Sequence, residues 1–580
     1  RAKHQCIVLE GGLVSDMQLV EDVQAATGIT LSSDGITHRS SNYESREALV
    51  IRADGRRVRY FLGVHSAPSH TSEAQEAGWH EVINSKYETF NESPRAAEQK
   101  ADSCIFVIKT TGFHTDHAED QKRLVRVWVA HKRQMKHEVR GEQALKFMAS
   151  DKVLMVAWEA SRESIEAVGG IQEWERMGTA NKEAHLKIAY QNVMVKLGKD
   201  AFTALSDVEK ADIDFFVWTG CCMHKELNAV KGGNVRMMAW WVESKVEGPI
   251  KLMNRDNART VTLTGSSSAS AQALDVLQGG AVKVTSLAGT IFNNKDDKKG
   301  HQNILRWHLF EDHGFTINFP DTSNTRYQSH CEAATELLID LNFYIEFLEL
   351  VKDKKEKQSL NHMEQNVYNA LHDIPTLHEL ATLTLYSQSI SHPYLRQVHG
   401  SAAKDRNALD LGPLHDRVIQ HCQAIISNPD LLLAPAATYH HGSLDAQPWE
   451  CPDAFYAIHR LLPNLPHLRG TLVAFFEGAL ETWKWFSAEF SSSGPIVALS
   501  KEARSCTWME PTNDKNEGNL GAYHVNQRKN LSITQHQYNA RVSFKRNKTS
   551  AYIKDILQPV DCRYLRRKAR ILDASRLEAE

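Results

Sequence analysis

GITLSSDGITHRSSNYESR, residues 28 to 46, holds the acidic residue around which the rest of the chain can be interpreted. Residues 29 to 34 alternate in side-chain character with a period of two, which predicts a strand that ends near Asp34. The Asp-Gly pair then breaks the run, and two further strands are predicted at residues 43–52 and 58–64. Asp-Gly is also the commonest short signal of a β-hairpin. The pair therefore either ends a strand that presents a functional carboxylate or forms an ordinary turn.

The segment after the third strand predicts a helix, a fourth strand and a second helix. Residues 71–90 begin with Thr-Ser, carry acids in the first turn and have apolar residues at helical spacing. Residues 104–109, CIFVIK, form a continuous apolar run that is typical of a buried central strand. Asp116 follows this run, directly before another helical pattern. The predicted order thus places one aspartate after the first strand and another after the fourth.

Two aspartates on adjacent strands suggest a metal-dependent reaction at a phosphodiester. Two divalent cations about 3.5–4 Å apart can activate a nucleophile and stabilise the leaving oxygen. Mg²⁺, or Mn²⁺ in its place, suits a site built only from oxygen ligands and substrate phosphates. For Asp116 an equal alternative is the N-cap of the following helix, a position that aspartate favours.

Composition narrows the class of protein. At 580 residues the chain is long enough for about three or four domains, or for one domain with a large insertion. The apolar fraction of 42% indicates a folded protein. The net charge of −3 does not by itself indicate a nucleic-acid partner, so such a partner would have to bind at a local basic patch.

Nine cysteines without a C-x-x-C pair argue against a disulfide framework and a zinc ribbon. No apolar run approaches 18 residues, so no membrane span is expected. The chain starts at Arg1 without a Met, and we expect its natural N-terminus to lie upstream.

A strongly apolar segment at residues 213–220 predicts another strand, and it is followed by Cys221, Cys222 and His224. Cys221 and His224 have C-x-x-H spacing, but a zinc site needs about four ligands and no second pair lies nearby. His224 is therefore either a structural histidine or part of a functional site formed with residues from other segments of the chain.

Residues 328–490 show helical periodicity almost throughout and predict an all-α domain with its own core. A resemblance to a known family, described below, implies a third acid after this helical block. Glu510 and Glu517 are the candidates, and Glu517 is preferred because Glu510 precedes a proline and is expected in extended backbone. The alternative for Glu517 is an ordinary first-turn acid that the helix dipole favours.

The C-terminal hundred residues carry the local positive charge of the chain. Residues 481–580 contain 17 Lys and Arg against 11 Asp and Glu. The densest clusters are residues 541–548, with Lys545, Arg546 and Lys548, and residues 563–570. Both are candidates for phosphate contacts, and a solvated basic helix is an equal interpretation of the second cluster.

Three motifs together resemble the catalytic domain of hAT-type (Activator-like) transposases. They are S-S-D-G-x-T around Asp34, T-D-H-A-x-D at Asp116, and C-C-M-H-K-x-L-N, which contains the family's C/D-x-x-H element at Cys221 and His224. The family also has T-R-W near the start of a helical insertion. This chain has Thr-Arg326-Tyr327 there, so a tyrosine replaces the usual tryptophan.

The resemblance implies an α/β fold with an RNase H-like mixed sheet core that is interrupted by a large all-α insertion. The core would span residues 1–260 and 495–560, the insertion residues 261–494, and a basic C-terminal tail residues 561–580. The implied function is a nuclear DNA transposase: a nuclease and strand transferase that binds transposon ends and target DNA, with self-association as a further expectation.

Residue roles follow from the same resemblance. Asp34, Asp116 and Glu517 would hold two Mg²⁺ or Mn²⁺ ions. His224 would lie near the cleaved strand, and Arg326 and Tyr327 would support a distorted base at the transposon end.

Two other functions remain open at this point. One is a domesticated or inactive transposase that serves as a DNA-binding or protein-interaction scaffold; the near-neutral charge and the lack of a zinc-finger ligand pattern in these residues favour it. The other is a cellular RNase H-like nuclease unrelated to mobile DNA.

Overall fold

The structure is a computed structural model that describes residues 2–38, 40–253, 279–294, 300–314, 316–322, 328–400 and 403–575. The chain divides into two units. The first combines Arg1–Cys221 with Ala498–Glu580, and the second is Cys222–Val497. The second unit thus begins well before residue 261, where the sequence places the start of the insertion.

A five-stranded mixed sheet organises the first unit. Its strands are β1 (Ala26–His38), β2 (Ser41–Arg52), β3 (Arg57–Ala67), β4 (Thr110–Thr115) and β5 (Val217–Gly220). Their order across the sheet is β3-β2-β1-β4-β5. The pairs β1–β2 and β2–β3 are antiparallel, and the pairs β1–β4 and β4–β5 are parallel. The predicted α/β class, a mixed sheet with a large helical part, is confirmed.

β1 runs through the Asp-Gly pair instead of turning there. Asp34 is opposite Ser45 and Gly35 is opposite Glu44, and the ladder continues to His38. The hairpin interpretation of Asp34-Gly35 is therefore wrong. The β-branched residues that follow extend the pairing with β2, so the local turn signal is overridden by the ladder.

The apolar run at residues 104–109 is a helix, so its prediction as a strand is wrong. Asp102 Oδ1 accepts a hydrogen bond of 2.9 Å from the backbone N–H of Cys104, where the helix begins. Phe106 and Val107 point into the core from this helix. A short apolar run cannot by itself distinguish a buried strand from a buried helix. The strand instead comes next, at TTGFHT, whose residues are all buried.

The first segment of the chain supplies these helices: α1 (Ala2–Gln24), α2 (Ser72–Asn91), α3 (Cys104–Lys109), α4 (Glu119–Lys146), α5 (Ser150–Ala167), α6 (Ile171–Arg176), α7 (Thr179–Thr203) and α8 (Asp207–Asp214). The helix predicted at residues 71–90 is confirmed as α2, whose N-cap Thr71 accepts a hydrogen bond from the N–H of Ala74.

The second unit is helical in the residues that the structure describes. Its helices are α9 (Cys222–Glu243), α10 (Gly280–Phe292), α11 (Gln302–His313), α12 (Gln328–Ile339), α13 (Leu341–Asp353), α14 (His362–His372), α15 (Ile374–Tyr386), α16 (His392–Val398), α17 (Gly412–Ser427), α18 (Asp430–Leu433), α19 (Tyr439–Gly442), α20 (Pro452–Leu461) and α21 (Leu468–Phe486). They enclose one hydrophobic core of their own, in which Trp483 and Tyr386 are fully buried.

The returning segment adds the last helices of the first unit: α22 (Lys501–Ser505), α23 (Asp514–Lys529), α24 (Gln535–Arg546), α25 (Thr549–Asp555) and α26 (Pro559–Ser575). α26 packs against α1 and buries Leu565 and Ala569 in the core of this unit. Residues 561–575 are therefore an integral helix, and the prediction of a tail is wrong for them.

The chain also forms short helical turns. The 3-10 turns are at Pro94–Ala96, Ala408–Asp410, Leu462–Asn464 and Ala488–Phe490, and a π-helical turn is at Ser387–Ser391. Among the described residues, no helix has a stretch long and apolar enough to cross a membrane.

Candidate functional site at the carboxyl end of the sheet

The parallel pairing of β1 with β4 brings Asp34 and Asp116 to one end of that pairing. Its last pair is Ser32 of β1 with His114 of β4, and each aspartate comes two residues later. Asp34 is still within β1 and, because side chains alternate along a strand, lies on the face of Ser32. Asp116 is the first residue after β4. Both side chains are half-buried.

Local hydrogen bonds orient the two aspartates. Asp34 Oδ1 accepts a hydrogen bond of 3.0 Å from the N–H of Gly35. Asp116 Oδ1 accepts one of 3.0 Å from the N–H of Ala118, which is itself the N-cap residue of α4. The N-cap interpretation of Asp116 is therefore wrong, and its carboxylate belongs to the loop at the strand end.

α23 covers this face and is held on it by three buried asparagines. Asn513 Nδ2 donates to the carbonyl oxygen of Ser33 at 2.9 Å. Asn516 Nδ2 donates to Ser32 Oγ at 3.0 Å, and its Oδ1 accepts from Ser45 Oγ at 2.8 Å. Asn519 Nδ2 lies 3.0 Å from Ser45 Oγ. The first turn of the helix is thus fixed against β1 and β2, directly beside Asp34.

Glu517 lies on the side of α23 whose contacts run along β1. It is one turn beyond Asn513, which contacts β1 at Ser33. His524 lies two turns further on the same stripe, and its ring stacks on His38 at the end of β1 with centroids 4.2 Å apart. Glu517 comes between these two contacts and so lies alongside the stretch of β1 that carries Asp34. Its side chain is half-buried.

Glu510 has a different environment. Its Oε1 is 2.6 Å from Arg59 Nη2, and it also forms an ion pair with Lys515. Arg59 is on β3, which is separated from β1 by β2. Glu510 nevertheless lines a small cavity together with Ser32 of β1 and His114 of β4. The preference for Glu517 as third acid remains a prediction.

The three carboxylates do not form a closed cluster. Within the described residues, the group of three acidic, histidine or cysteine side chains whose ligand atoms all lie within 4.8 Å of one another is Glu76, His80 and His131. Asp34 and Asp116 nevertheless supply an oxygen-only, half-buried pair. Such a pair fits Mg²⁺ or Mn²⁺, because Mg²⁺ binds through one or two carboxylates and keeps several of its waters.

The C-x-x-H element is divided between the two units. Cys221 is buried in the first unit, where its Sγ accepts a hydrogen bond of 3.3 Å from the N–H of Asn513. His224 is half-buried in the first turn of α9 in the second unit, and its carbonyl oxygen accepts from Asn228 Nδ2 at 2.6 Å. Arg326 and Tyr327 lie outside the described residues.

The predicted basic contacts at the end of α24 differ from one another. Lys545, Arg546 and Lys548 are all exposed. Arg546 in addition donates to Asn519 Oδ1, lies 3.9 Å from Glu47 and covers the ring of Phe61 at 5.6 Å. Arg546 therefore also supports the anchoring of α23.

The second basic cluster forms an exposed stripe on α26. Four arginines of this helix line a shallow groove, namely Arg563, Arg566, Arg567 and Arg570. Arg566 Nε is 3.5 Å from Glu10 of α1. The stripe is thus a surface feature of the first unit.

Sequence reasoning missed the asparagines that position the site. Asn513, Asn516 and Asn519 recur every three residues at the start of α23, which is a signal visible in the sequence. Their significance becomes clear only once the helix is seen to lie on polar strand residues, because buried amides need hydrogen-bond partners.

Comparison with models of known protein families finds no match to this chain, and comparison with curated proteins finds none either.

Proposed function

We propose that the protein is a metal-dependent enzyme that cleaves and joins DNA strands in the manner of a transposase. The observation that carries this proposal is that Asp34 and Asp116 each lie two residues beyond the last pair of the parallel strands β1 and β4, on the unit that also carries Glu517 on α23. This is the arrangement expected of a nuclease that uses carboxylate-bound cations.

The topology of the first unit supports an RNase H-like core. Three consecutive antiparallel strands are followed by two parallel ones, in the order β3-β2-β1-β4-β5. A helical unit enters the chain after Cys221 and leaves it at Val497. Both features agree with the fold that the sequence motifs imply, an RNase H-like sheet interrupted by an all-α insertion.

The proposed roles follow from the positions of the side chains. A divalent metal, when bound, supplies the charge that activates a water or a 3′-hydroxyl and stabilises the in-line transition state at a phosphate. Asp34 and Asp116 hold that charge at the strand ends. Glu517 closes the site from the helix side, and Asn513 and Asn516 fix the distance between the helix and the strands.

DNA is the proposed substrate because the local cations belong to the unit that carries the carboxylates. Lys545, Lys548 and the arginines of α26 are exposed on the first unit. Contacts from such residues to phosphates would supply sequence-independent affinity that weakens with salt. His224, Arg326 and Tyr327 retain the DNA-facing roles that the resemblance implies, and the place of action would be the nucleus.

A plasmid cleavage assay tests the proposal. Purified full chain is incubated with supercoiled DNA and Mg²⁺ or Mn²⁺, and nicked and linear products are measured over time. We expect Asp34→Asn, Asp116→Asn and Glu517→Gln each to lower the cleavage rate by at least about 100-fold, because a lost metal ligand removes several kcal/mol of transition-state stabilisation.

Asp514→Asn is the matched control for Glu517→Gln. Asp514 is another acid in the first turn of α23, where it accepts a hydrogen bond of 2.8 Å from Thr512 Oγ1. This control should cleave at the wild-type rate. Cleavage that survives both aspartate substitutions would exclude the proposed active site. Loss of cleavage in Glu510→Gln, with cleavage retained in Glu517→Gln, would show that Glu510 and not Glu517 is the third acid.

The separation of the carboxylates favours a second candidate function. Because the described residues do not bring Asp34, Asp116 and Glu517 within 4.8 Å of one another, the fold is also compatible with a transposase-derived scaffold that binds DNA without cutting it. Metal-independent DNA binding with no cleavage in Mg²⁺ or Mn²⁺ would support the scaffold over the enzyme.

A further inference from the structure

Two histidines and a glutamate meet between α2 and α4, the helices that cover the other face of the sheet. Glu76 and His80 are one turn apart on α2, and His131 is on α4. His80 Nε2 is 3.6 Å from Glu76 Oε1, and His131 Nδ1 is 3.3 Å from the same oxygen. The two imidazole nitrogens thus face one carboxylate oxygen from two different helices.

The distances between these atoms are similar to the distances between ligand atoms around one metal ion. One ligand atom from each of the three side chains lies within 4.8 Å of the other two. Zinc ligands at about 2.0–2.1 Å in a tetrahedron are about 3.4 Å apart. The rings of His80 and His131 are stacked, with centroids 4.4 Å apart and an angle of 29° between the planes. Because a ring nitrogen binds a metal in the plane of its ring, an ion between the three donors requires the two imidazoles to turn toward one another.

His80 is held in this position by its surroundings. Its ring stacks on Trp128 with centroids 5.4 Å apart and an angle of 9° between the planes. Trp128 is fully buried and also packs against Trp79 and Phe113. Among the described residues, His80 Nε2 is buried and faces Glu76 Oε1 at 3.6 Å, which is longer than an ordinary hydrogen bond. Buried polar atoms usually have a close partner, and a metal ion bound between the two side chains would supply one.

We propose that Glu76, His80 and His131 bind a divalent transition-metal ion, with Zn²⁺ as the preferred ion. Two imidazoles and one carboxylate are a ligand set that Zn²⁺ uses when a fourth position is left to solvent. Mg²⁺ prefers oxygen ligands and does not compete well for nitrogen. The side chains are 17%, 22% and 35% exposed for Glu76, His80 and His131, so the fourth position is open to water.

The metal would join α2 to α4 and stiffen the layer of helices behind the sheet. This site is separate from the carboxylates at the strand ends: it lies on the opposite layer and uses nitrogen ligands. The proposal therefore stands independently of the proposed nuclease function.

Metal titration of the untagged full chain tests the proposal. Co²⁺ serves as a spectroscopic substitute for Zn²⁺, since its visible bands report low coordination number and nitrogen ligands. The titration is done in an Asp34→Asn/Asp116→Asn background, so that cations at the strand ends do not contribute. We expect one equivalent of Co²⁺ with visible bands, displaced by one equivalent of Zn²⁺, and a zinc-dependent rise in the melting temperature.

His131→Gln and Glu76→Gln should each weaken Co²⁺ binding by at least tenfold and remove the zinc-dependent shift in melting temperature. Glu73→Gln is the matched control, because Glu73 is also on α2 but forms an exposed ion pair with Arg123. It should bind metal as the parent does. Far-UV circular dichroism verifies that each variant is folded. Equal metal binding by parent and ligand variants, or a parent without visible bands, would overturn the proposal and leave an ion pair between Glu76 and His131.

Discussion

Glu226 is a buried carboxyl group whose ionisation opposes folding of the second unit. Its Oε1 accepts a hydrogen bond from Ser391 Oγ, and its Oε2 is buried without a hydrogen-bond partner. Burial raises the pKa of Glu226 to about 7, and the nearby charge of Glu332 adds to the effect. The pKa in the unfolded chain is near 4.5, so the folded state binds more protons between these two values.

We expect stability to fall as the pH rises from about 4.5 to about 7, because the unfolded chain releases the proton of Glu226 in this range while the buried carboxyl of the folded state keeps it. Glu226→Gln keeps an acceptor for Ser391 and removes the charge. The variant should lose this part of the pH dependence and be more stable than wild type at pH 8 by on the order of 3 kcal/mol. Urea unfolding at pH 5 and pH 8 measures both quantities.

Glu356→Gln is the control for this experiment, because Glu356 is an exposed residue of the same unit. It should follow the wild-type pH dependence. An unchanged pH dependence in Glu226→Gln would show that Glu226 is not the titrating group.

Lys545 and Arg546 are neighbours in sequence but should respond differently to substitution. Lys545 is exposed, so Lys545→Gln should weaken DNA binding and reduce the slope of log K against log salt by about 0.9, as for one lost phosphate contact. Arg546 contacts Asn519 and Glu47, so Arg546→Gln should lower the free energy of unfolding and change the salt slope less. Fluorescence anisotropy over a range of salt concentrations, together with urea unfolding, separates the two effects. Equal changes in salt slope would contradict this assignment.

At the scale of elements, α23 is the part of the fold on which the candidate site most depends. Its buried residues include Asn516, Asn519, Leu520 and Tyr523, so one side of a mostly polar helix faces the strands. The asparagines bond to Ser32 and Ser45. The helix is therefore held by directional contacts, which fix its position along β1.

Asn516→Ala removes hydrogen bonds to both Ser32 and Ser45 and leaves buried polar atoms without partners. We expect a loss of about 1–3 kcal/mol in the free energy of unfolding. If cleavage activity is present, it should fall at temperatures where the variant is still folded, because Glu517 is no longer held beside β1. Asn530→Ala is the control: Asn530 is exposed at the end of the same helix and bonds to Asn526. A similar effect of both substitutions would argue against the anchoring role.

Helices and strands were predicted correctly where the hydrophobic periodicity was clear, and the prediction was wrong where the periodicity was absent. Alternation predicted β1 and helical spacing predicted α2, because each pattern reflects which side chains are buried. The run at residues 104–109 was misassigned, because an apolar segment of six residues fits a buried helix as well as a buried strand. β1 continued past Gly35 because pairing with β2 outweighed the local preference for a turn.

The candidate site was predicted in part. Residue chemistry and position after strands identified Asp34 and Asp116, but the sequence does not say which strands are neighbours. The parallel pairing of β1 with β4 supplies that information, since each aspartate lies two residues beyond its last pair. Arg546 was predicted as a DNA contact because it lies in a basic cluster. Its contact with Glu47 could not be predicted, because the two residues are far apart in the sequence and no local pattern indicates the contact.

At the scale of the whole molecule, each unit has its own hydrophobic core. Trp128 is fully buried in the first unit and Trp483 in the second. The first unit is assembled from two segments of chain that are separated by the whole of the second. We therefore expect two cooperative units in thermal unfolding.

Differential scanning calorimetry of two tryptophan variants tests this expectation. Trp128→Ala and Trp483→Ala each remove a large buried side chain, at a cost of about 3–5 kcal/mol. Trp128→Ala should lower the temperature of one transition and Trp483→Ala that of the other. A single transition that both variants shift equally would show that the units unfold as one.

The central claim is that Asp34 and Asp116 together hold a divalent cation at the end of the sheet. Anomalous diffraction from crystals of the full chain soaked in Mn²⁺ tests it most directly. We expect a Mn²⁺ peak within coordination distance of carboxylate oxygens from both aspartates, and no such peak in Asp34→Asn. Fully occupied Mn²⁺ elsewhere on the protein with no density between Asp34 and Asp116 would contradict it.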